Sequence, residues 1–117
     1  RPRTKNQEPA FDTRGRVVVS RLTDTQIADG LASLPGWTRV GATIEKSLAF
    51  ASFPDAISYL VRLAFEAERV DHHPDVTVRY RRVTLSYSTH SEGGLTAKDL
   101  DGARTAERVY SSSGSQG

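Results

Sequence analysis

The sequence predicts an α+β fold in which three helices pack on one face of a four-stranded antiparallel sheet. Three segments repeat apolar residues at helical spacing, four shorter segments alternate apolar and polar residues, and their order along the chain is αββαββα. Neighbouring strands joined by short turns pair antiparallel, and a helix with one apolar stripe needs one sheet face to cover. We expect the opposite sheet face to be left bare or used for self-association.

The composition excludes several large classes of protein. The 117 residues include no cysteine and carry a net charge of +2. A disulfide framework and a thiol nucleophile are therefore excluded, and the charge gives no sign of a direct nucleic-acid partner. No apolar run approaches the ~20 residues that span a membrane, and no signal-peptide pattern is present. We expect a cytoplasmic protein with no membrane partner.

The sequence predicts one domain between two flexible segments. Residues 1–16 are polar and basic, contain two prolines and show no hydrophobic period, which predicts a disordered basic arm. Residues 111–117, SSSGSQG, predict a flexible tail. The predicted domain occupies residues 17–110.

Capping residues mark the start of the first helix. Thr23 is followed three residues later by Gln26, which is the pattern of a capping box. Pro35-Gly36 ends the helix. The next segment, residues 37–50, predicts a hairpin with its turn at Gly41-Ala42.

The second helix is the longest periodic segment. Ser52 is its predicted N-cap, with Asp55 three residues later as the box partner. A broad apolar stripe continues to about Val70. Pro74 then blocks the helix and favours an extended backbone at His73.

A second hairpin and a third helix complete the domain. Residues 76–80 and 83–87 alternate, which predicts two strands with a turn at Arg81-Arg82. Thr96 and Asp99 then form a third capping box, and the helix is predicted to run to about residue 110. This helix is the weakest of the three, because a glycine at position 102 costs about 1 kcal/mol relative to alanine.

All three histidines of the chain lie between Glu68 and Asp99. His72 and His73 follow the second helix, and the second hairpin returns His90 towards them. Adjacent histidines point apart and the zinc-binding spacing H-E-x-x-H is absent, which disfavours a metal site. A histidine at a helix C-terminus is often purely structural. Two imidazoles in different protonation states can also act as acid and base near neutral pH, and Glu68 is placed one turn before His72 to accept a ring N–H. The spacing alone leaves the structural and the catalytic interpretations open.

The same stretch resembles the pterin-4a-carbinolamine dehydratase family. The resemblance covers roughly residues 22–109 and is strongest between residues 53 and 99. The residues that carry it are Ala67, Glu68, His72, His73, Pro74, Asp75, Tyr80, Val83, Thr89, His90, Gly94, Thr96 and Asp99. The chain departs from the usual family pattern at Val76, Val78 and Arg79 and across residues 102–108.

The resemblance implies an activity and a set of roles. The substrate would be 4a-hydroxytetrahydrobiopterin, which loses water to give quinonoid dihydropterin during pterin recycling. The catalytic residues would be His72, His73 and His90, with His73 and His90 as the favoured acid–base pair. The residues implied to touch the substrate are Asp71, Ser88, Thr89 and Ser91, and those implied to orient or support the site are Glu68, Pro74 and Asp99.

The resemblance also implies that no metal or cofactor is needed, since the pterin is itself the substrate, and that the protein is a homodimer or homotetramer. For Asp99 we expect a structural role, because the capping box accounts for it. The rival hypothesis is a non-catalytic dimerisation or assembly factor of the same fold. A role in a different pterin or molybdopterin pathway is a third.

Overall fold

The computed structural model describes residues 20–113 and, before them, the backbone of two short strands. The elements in chain order are β1 (Ala10–Phe11), β2 (Val17–Val18), α1 (Asp24–Leu31), β3 (Thr38–Val40), β4 (Thr43–Ala49), α2 (Phe53–Val70), β5 (Asp75–Arg79), β6 (Arg82–Tyr87) and α3 (Ala97–Ser113). The strand order of the main sheet is β3-β4-β6-β5, with every neighbouring pair antiparallel. This confirms the predicted α+β class.

The predicted arm falls mostly outside the described residues. Its described part, β1, pairs antiparallel with β2 at the start of the predicted domain, so that Ala10 lies opposite Val18 and Phe11 opposite Val17. At the other end, α3 continues to Ser113 and takes in the first three residues of the predicted tail. The hydroxyls of Ser112 and Ser113 donate to carbonyl oxygens three residues earlier, and these bonds satisfy acceptors in the last turn.

The helices begin where the capping residues predict. Around α1, the hydroxyl of Thr23 accepts from the backbone N–H of Gln26 at 3.1 Å, and the Gln26 side chain accepts from the N–H of Thr23 at 2.8 Å. At α2, the hydroxyl of Ser52 accepts from the N–H of Asp55 at 3.2 Å. Each bond satisfies a backbone donor that has no partner inside its helix.

The register of the sheet explains its two different faces. Ile44 lies opposite Tyr87 and Leu48 opposite Val83, and all four are buried on the face that the helices cover. The other face is polar. There the hydroxyls of Ser47 and Thr84 are 2.7 Å apart, and Ser86 donates to Glu45 at 3.3 Å. The open face is therefore not an apolar surface that needs covering.

The turn between β5 and β6 lies at Tyr80-Arg81, one residue before the predicted position. The register pairs Val78 with Val83, so that both valines are on the helix-covered face. Moving this two-residue turn forward by one residue would pair Val83 with Tyr80 instead of Val78 and leave the buried face of β6 unchanged, because the register would shift by two residues. The observed turn places Tyr80 at a positive φ of 55°, which L-residues seldom adopt.

The core lies between the sheet and α2 and α3. Its buried residues are Ile27, Leu34, Trp37, Ile44, Leu48, Phe50, Ala56, Tyr59, Leu63, Val83, Leu85, Tyr87, Leu95, Leu100, Ala103, Ala106 and Val109. Tyr59 contributes a polar group as well, since its hydroxyl donates to the Ala106 carbonyl at 2.9 Å. Among the helices described, none has the combined length and hydrophobicity that crossing a membrane requires.

Two core tyrosines make the stability sensitive to alkaline pH. Burial raises the pKa of Tyr59, and burial together with the nearby Asp99 raises the pKa of Tyr87. A raised pKa leaves the stability intact below the unfolded-state value of about 10 and removes it as the pH rises further. The loss approaches about 1.4 kcal/mol per pH unit for each tyrosine.

We therefore expect the free energy of unfolding, measured by urea titration from pH 8 upwards, to fall more steeply in wild type than in Tyr59→Phe/Tyr87→Phe. Tyr80→Phe, which changes an exposed ring, is the control. An identical slope in the double variant would contradict the expectation.

Candidate functional site

The candidate site lies where α2 and β6 end and α3 begins. Asp71 follows α2 in a left-handed conformation, with a φ of 53°. This residue turns the chain away from the helix axis, and the N–H of His72 then donates to the carbonyl of Ala67 at 3.1 Å. On the other side, β6 leads through Ser88 and Thr89 into a short 3-10 helix that begins at His90.

Asp99 is the buried centre of the site. Its side chain is fully buried, yet both of its oxygens are hydrogen-bonded. Oδ2 accepts from the hydroxyl of Thr89 at 2.8 Å and from the backbone N–H of Thr96 at 2.9 Å. Oδ1 lies 2.6 Å from Nε2 of His72. The capping role predicted for Asp99 is present, but it is only part of what this carboxylate does.

The hydroxyls around Asp99 form a directed chain. The single proton of the Thr89 hydroxyl goes to Asp99, so the Thr96 hydroxyl donates in turn to Thr89 at 2.8 Å. The Thr96 oxygen then accepts from the N–H of Lys98 at 3.2 Å. The first turn of α3 and the end of β6 are thereby tied to one carboxylate.

The contact with Asp99 fixes which nitrogen of His72 is occupied. An ionised carboxylate can only accept hydrogen bonds, so Nε2 of His72 carries the proton that it shares with Asp99. Nδ1 is then the nitrogen that can give or take a proton elsewhere. This is the arrangement by which a buried aspartate orients a working histidine in hydrolases.

Glu68 contacts His73, whereas its helical spacing predicted a contact with His72. Its Oε1 lies 2.8 Å from Nε2 of His73. The i to i+4 geometry fails because α2 ends at Val70 and the left-handed Asp71 turns His72 inwards. The His73 side chain is 51% exposed and that of His72 only 13%.

His90 and the residues near it divide into exposed and buried groups. His90 is exposed, and its Nε2 lies 3.4 Å from the hydroxyl of Ser88. Asp71 and Ser91 are also exposed, whereas Thr89 is buried and its hydroxyl is occupied by Asp99. Asp99 thus connects His72 to Thr89, the residue before His90.

One neighbour of the histidines escaped the sequence reasoning. The ring of Tyr87 is stacked on His72, with centroids 6.0 Å apart and planes 23° apart. A cavity of about 130 Å³ between α2 and α3 ends on these two rings and has largely apolar walls, including Leu63 and Ala67. The alternation of β6 predicts that Tyr87 is buried, but only tertiary structure shows what it touches.

Among the residues described, no group of three histidine, aspartate or glutamate side chains is arranged to hold a metal ion. The chemistry that the described groups offer is proton transfer by imidazoles. Two of the imidazoles, those of His72 and His73, each have Nε2 within hydrogen-bond distance of a carboxylate.

Comparison with known proteins decides the family. A family model described as Pterin 4 alpha carbinolamine dehydratase matches residues 20–109. The chain belongs to the pterin 4 alpha carbinolamine dehydratase family. The resemblance seen in the sequence is thereby confirmed, and the match includes all three histidines and Asp99.

Individual members of the family align with this chain over nearly their whole length. A relative from Roseiflexus sp. (strain RS-1), named "Putative pterin-4-alpha-carbinolamine dehydratase", is 47% identical over 92 residues, which are 79% of this chain and 99% of the relative. A protein of the same name from Mycobacteroides abscessus is 52% identical over 86 residues, 74% of this chain and 92% of its own.

A solved structure shows the same fold. The crystal structure of a transcriptional coactivator/pterin dehydratase from Brucella melitensis superposes with a TM-score of 0.74 at 35% identity, covering 77% of this chain and 98% of that chain.

Replacing Asp99 tests its place at the centre of the site. Asp99→Ala leaves the Thr96 N–H and His72 without their buried partner, so we expect the free energy of unfolding to fall by about 3 kcal/mol. Asp99→Asn keeps one acceptor and should cost about half of that. The neighbouring Asp101 forms an exposed pair with Arg104, and Asp101→Ala should change stability by no more than about 0.5 kcal/mol. Urea titration of the three variants gives the answer, and equal losses for the two alanine variants would contradict it.

Proposed function

We propose that this protein removes water from 4a-hydroxytetrahydrobiopterin and releases quinonoid dihydropterin, by acid–base catalysis with histidines. The observation that carries the proposal is that the buried Asp99 holds His72 at 2.6 Å and also binds Thr89, the residue before His90. Membership of the dehydratase family supports it.

The reaction needs two proton transfers. One imidazolium protonates the hydroxyl on C4a, and the C–O bond breaks to release water. A neutral imidazole takes the proton from N5 as the N5=C4a double bond forms. Both steps use groups that titrate near neutral pH. Since the substrate supplies the leaving group and the electrons, we propose no metal and no cofactor.

We assign the two proton transfers to His73 and His90, because both are exposed enough to meet a bound pterin. His72 is assigned to binding and orientation, through the nitrogen that Asp99 leaves available. Glu68 orients His73 at 2.8 Å, and Pro74 shapes the chain after it.

The exposed side chains of Asp71 and Ser91 and the half-buried side chain of Ser88 are the proposed contacts to the pterin ring. Thr89, which the resemblance implied as a contact, is assigned to support, because its hydroxyl is bound to Asp99 at 2.8 Å. The cytoplasmic location expected from the composition stays a prediction.

The direct test is the rate of dehydration of freshly generated 4a-hydroxytetrahydropterin, followed by ultraviolet absorbance. We expect wild type to accelerate the reaction and His73→Ala or His90→Ala to lose about 10²–10⁴-fold of that acceleration. Asp29→Ala, an exposed change on α1, is the control.

Circular dichroism establishes that each variant is folded. A well-folded wild type that gives no acceleration would overturn the proposal and favour the non-catalytic assembly factor of the same fold.

We also propose that the chain forms a homodimer through β5, an edge strand whose one partner among the described strands is β6. Its sequence, Asp75-Val76-Thr77-Val78-Arg79, complements itself when a second copy runs antiparallel. Asp75 then meets the partner's Arg79, and Val76 meets the partner's Val78. Both valines are on the helix side of the sheet yet remain 44% and 36% exposed. Bare edges and twofold self-complementary patches are typical of such interfaces.

A second exposed surface gives a route from dimer to homotetramer. Phe53, Ile57, Val61 and Phe65 recur every four residues along α2 and are 47%, 37%, 52% and 73% exposed. Residues four apart share one face of a helix. Such a stripe suits packing against the same helix of another copy, and we propose that it does so.

A charge exchange tests the β5 pairing. Arg79→Asp sets like charges opposite each other twice across the twofold axis, so we expect the dimer dissociation constant to rise about tenfold. Asp75→Arg/Arg79→Asp restores opposite charges and should restore association. Sedimentation of the purified variants measures both. Unchanged association in the single variant would exclude β5 as the interface.

A further inference from the structure

Tyr87 occupies a position that the acid–base scheme does not use. It is the last residue of β6 and only 1% exposed. One neighbour is the His72 ring, 6.0 Å away between centroids at 23°, and another is the Trp37 ring, 6.0 Å away at 42°. The near-parallel alignment with the imidazole sets Tyr87 apart from an ordinary core side chain.

Gly102 on α3 is the third neighbour of Tyr87, and it lies too close to the tyrosine ring for a side chain at position 102. A Cβ built on Gly102 would lie 2.5 Å from Cε1 of Tyr87 and 2.8 Å from Cδ1 and Cζ. Side chains do not approach one another this closely in well-packed cores. Glycine has a poor helix propensity, but at this position any larger residue would clash with the Tyr87 ring against which the backbone of α3 packs. Gly102 lowers the helix propensity of α3, but it is also what allows α3 to pack closely against Tyr87.

The contact between His72 and Asp99 leaves one degree of freedom open. The hydrogen bond at Nε2, 2.6 Å long, sets the direction of the imidazole but does not by itself set the rotation of the ring about that direction. The plane of the ring has to be fixed by what packs on its face. The stacked Tyr87 ring does so.

The cavity between α2 and α3 makes this packing necessary. It measures about 130 Å³ and is lined by His72, Tyr87 and Gly102 together with apolar residues of α2 and polar or charged residues of both helices. An imidazole beside so much space is not confined by a continuous packed wall. A smaller side chain at position 87 would enlarge the space into which the His72 ring can turn.

We propose that Tyr87, seated by Gly102, is a positioning residue that fixes the plane of the His72 imidazole and so directs its Nδ1 towards the bound pterin. This inference rests on the proposed dehydratase function for its effect on rate. Its structural part, the orientation of His72, stands independently of that function. Burial and the nearby Asp99 raise the pKa of Tyr87 and keep its phenol neutral, so the proposed role belongs to the ring and not to a phenolate.

Three variants separate positioning from simple packing. Tyr87→Phe keeps the ring and removes only the hydroxyl. Tyr87→Leu removes the flat surface. Tyr87→Leu/Gly102→Ala puts a methyl group into the space that the tyrosine vacates and replaces a glycine inside α3, so it recovers stability without restoring a planar neighbour for His72.

Two readouts are compared. In dehydration assays we expect kcat/KM of Tyr87→Leu to fall about 10- to 100-fold, because His72, which binds and orients the pterin, is misplaced. Tyr87→Phe should match wild type, and the double variant should stay slow although it is stable.

In ¹⁵N NMR of the imidazoles we expect the Nε2 proton of His72 to exchange slowly in wild type and Tyr87→Phe. In the other two variants the ring turns more freely, so we expect this proton to exchange faster.

The outcomes are distinguishable. If Tyr87→Leu keeps the wild-type kcat/KM and the slow exchange of the His72 Nε2 proton, the tyrosine only fills the core and the inference is overturned; should Tyr87→Leu not fold, the double variant decides in its place. If the double variant recovers kcat/KM along with stability, the role was packing alone. If wild type has no dehydratase activity, the proposed function fails, and the NMR comparison alone still decides whether Tyr87 holds His72.

Discussion

A single buried carboxylate ties together the three elements that make the site. Asp99 receives hydrogen bonds from Thr96 at the start of α3, from Thr89 after β6 and from His72 after α2. A charge in such a position is tolerable only if every lone pair finds a donor. The requirement works in both directions: the donors stabilise the charge, and the charge fixes the positions of the donors. The position of His72 is therefore part of the fold itself and not an addition to it.

The fold was predictable because local signals agree with one another. The capping residues Thr23 and Ser52 mark helix starts that the structure confirms, and the alternation of Val83, Leu85 and Tyr87 selects the buried face of β6. The misplaced turn shows the limit of such signals. No glycine or asparagine marks Tyr80, and its left-handed backbone is imposed by the pairing of Val78 with Val83.

The candidate site was predictable in its members but not in its connections. Spacing gathers the histidines and the family pattern includes Asp99, yet helical periodicity assigned Glu68 to His72. The left-handed Asp71 breaks that periodicity, and no sequence rule places a left-handed aspartate there. The contact of Tyr87 with Gly102 also could not be predicted from the sequence, because it joins residues of a strand and a helix that are distant along the chain. At position 102 the close approach of the tyrosine ring outweighs the local preference for a residue of higher helix propensity.

The chain carries a built-in optical reporter of this region. Its one tryptophan, Trp37, is 4% exposed, and the indole N–H donates to Glu107 at 2.8 Å. That carboxylate also binds Lys46 at 2.8 Å, so the indole has a charged and well-ordered environment. Its ring lies 6.0 Å from Tyr87, which is in turn stacked on His72. Fluorescence from a single buried indole thus senses, through one intervening ring, how tightly the end of the sheet beside His72 is packed.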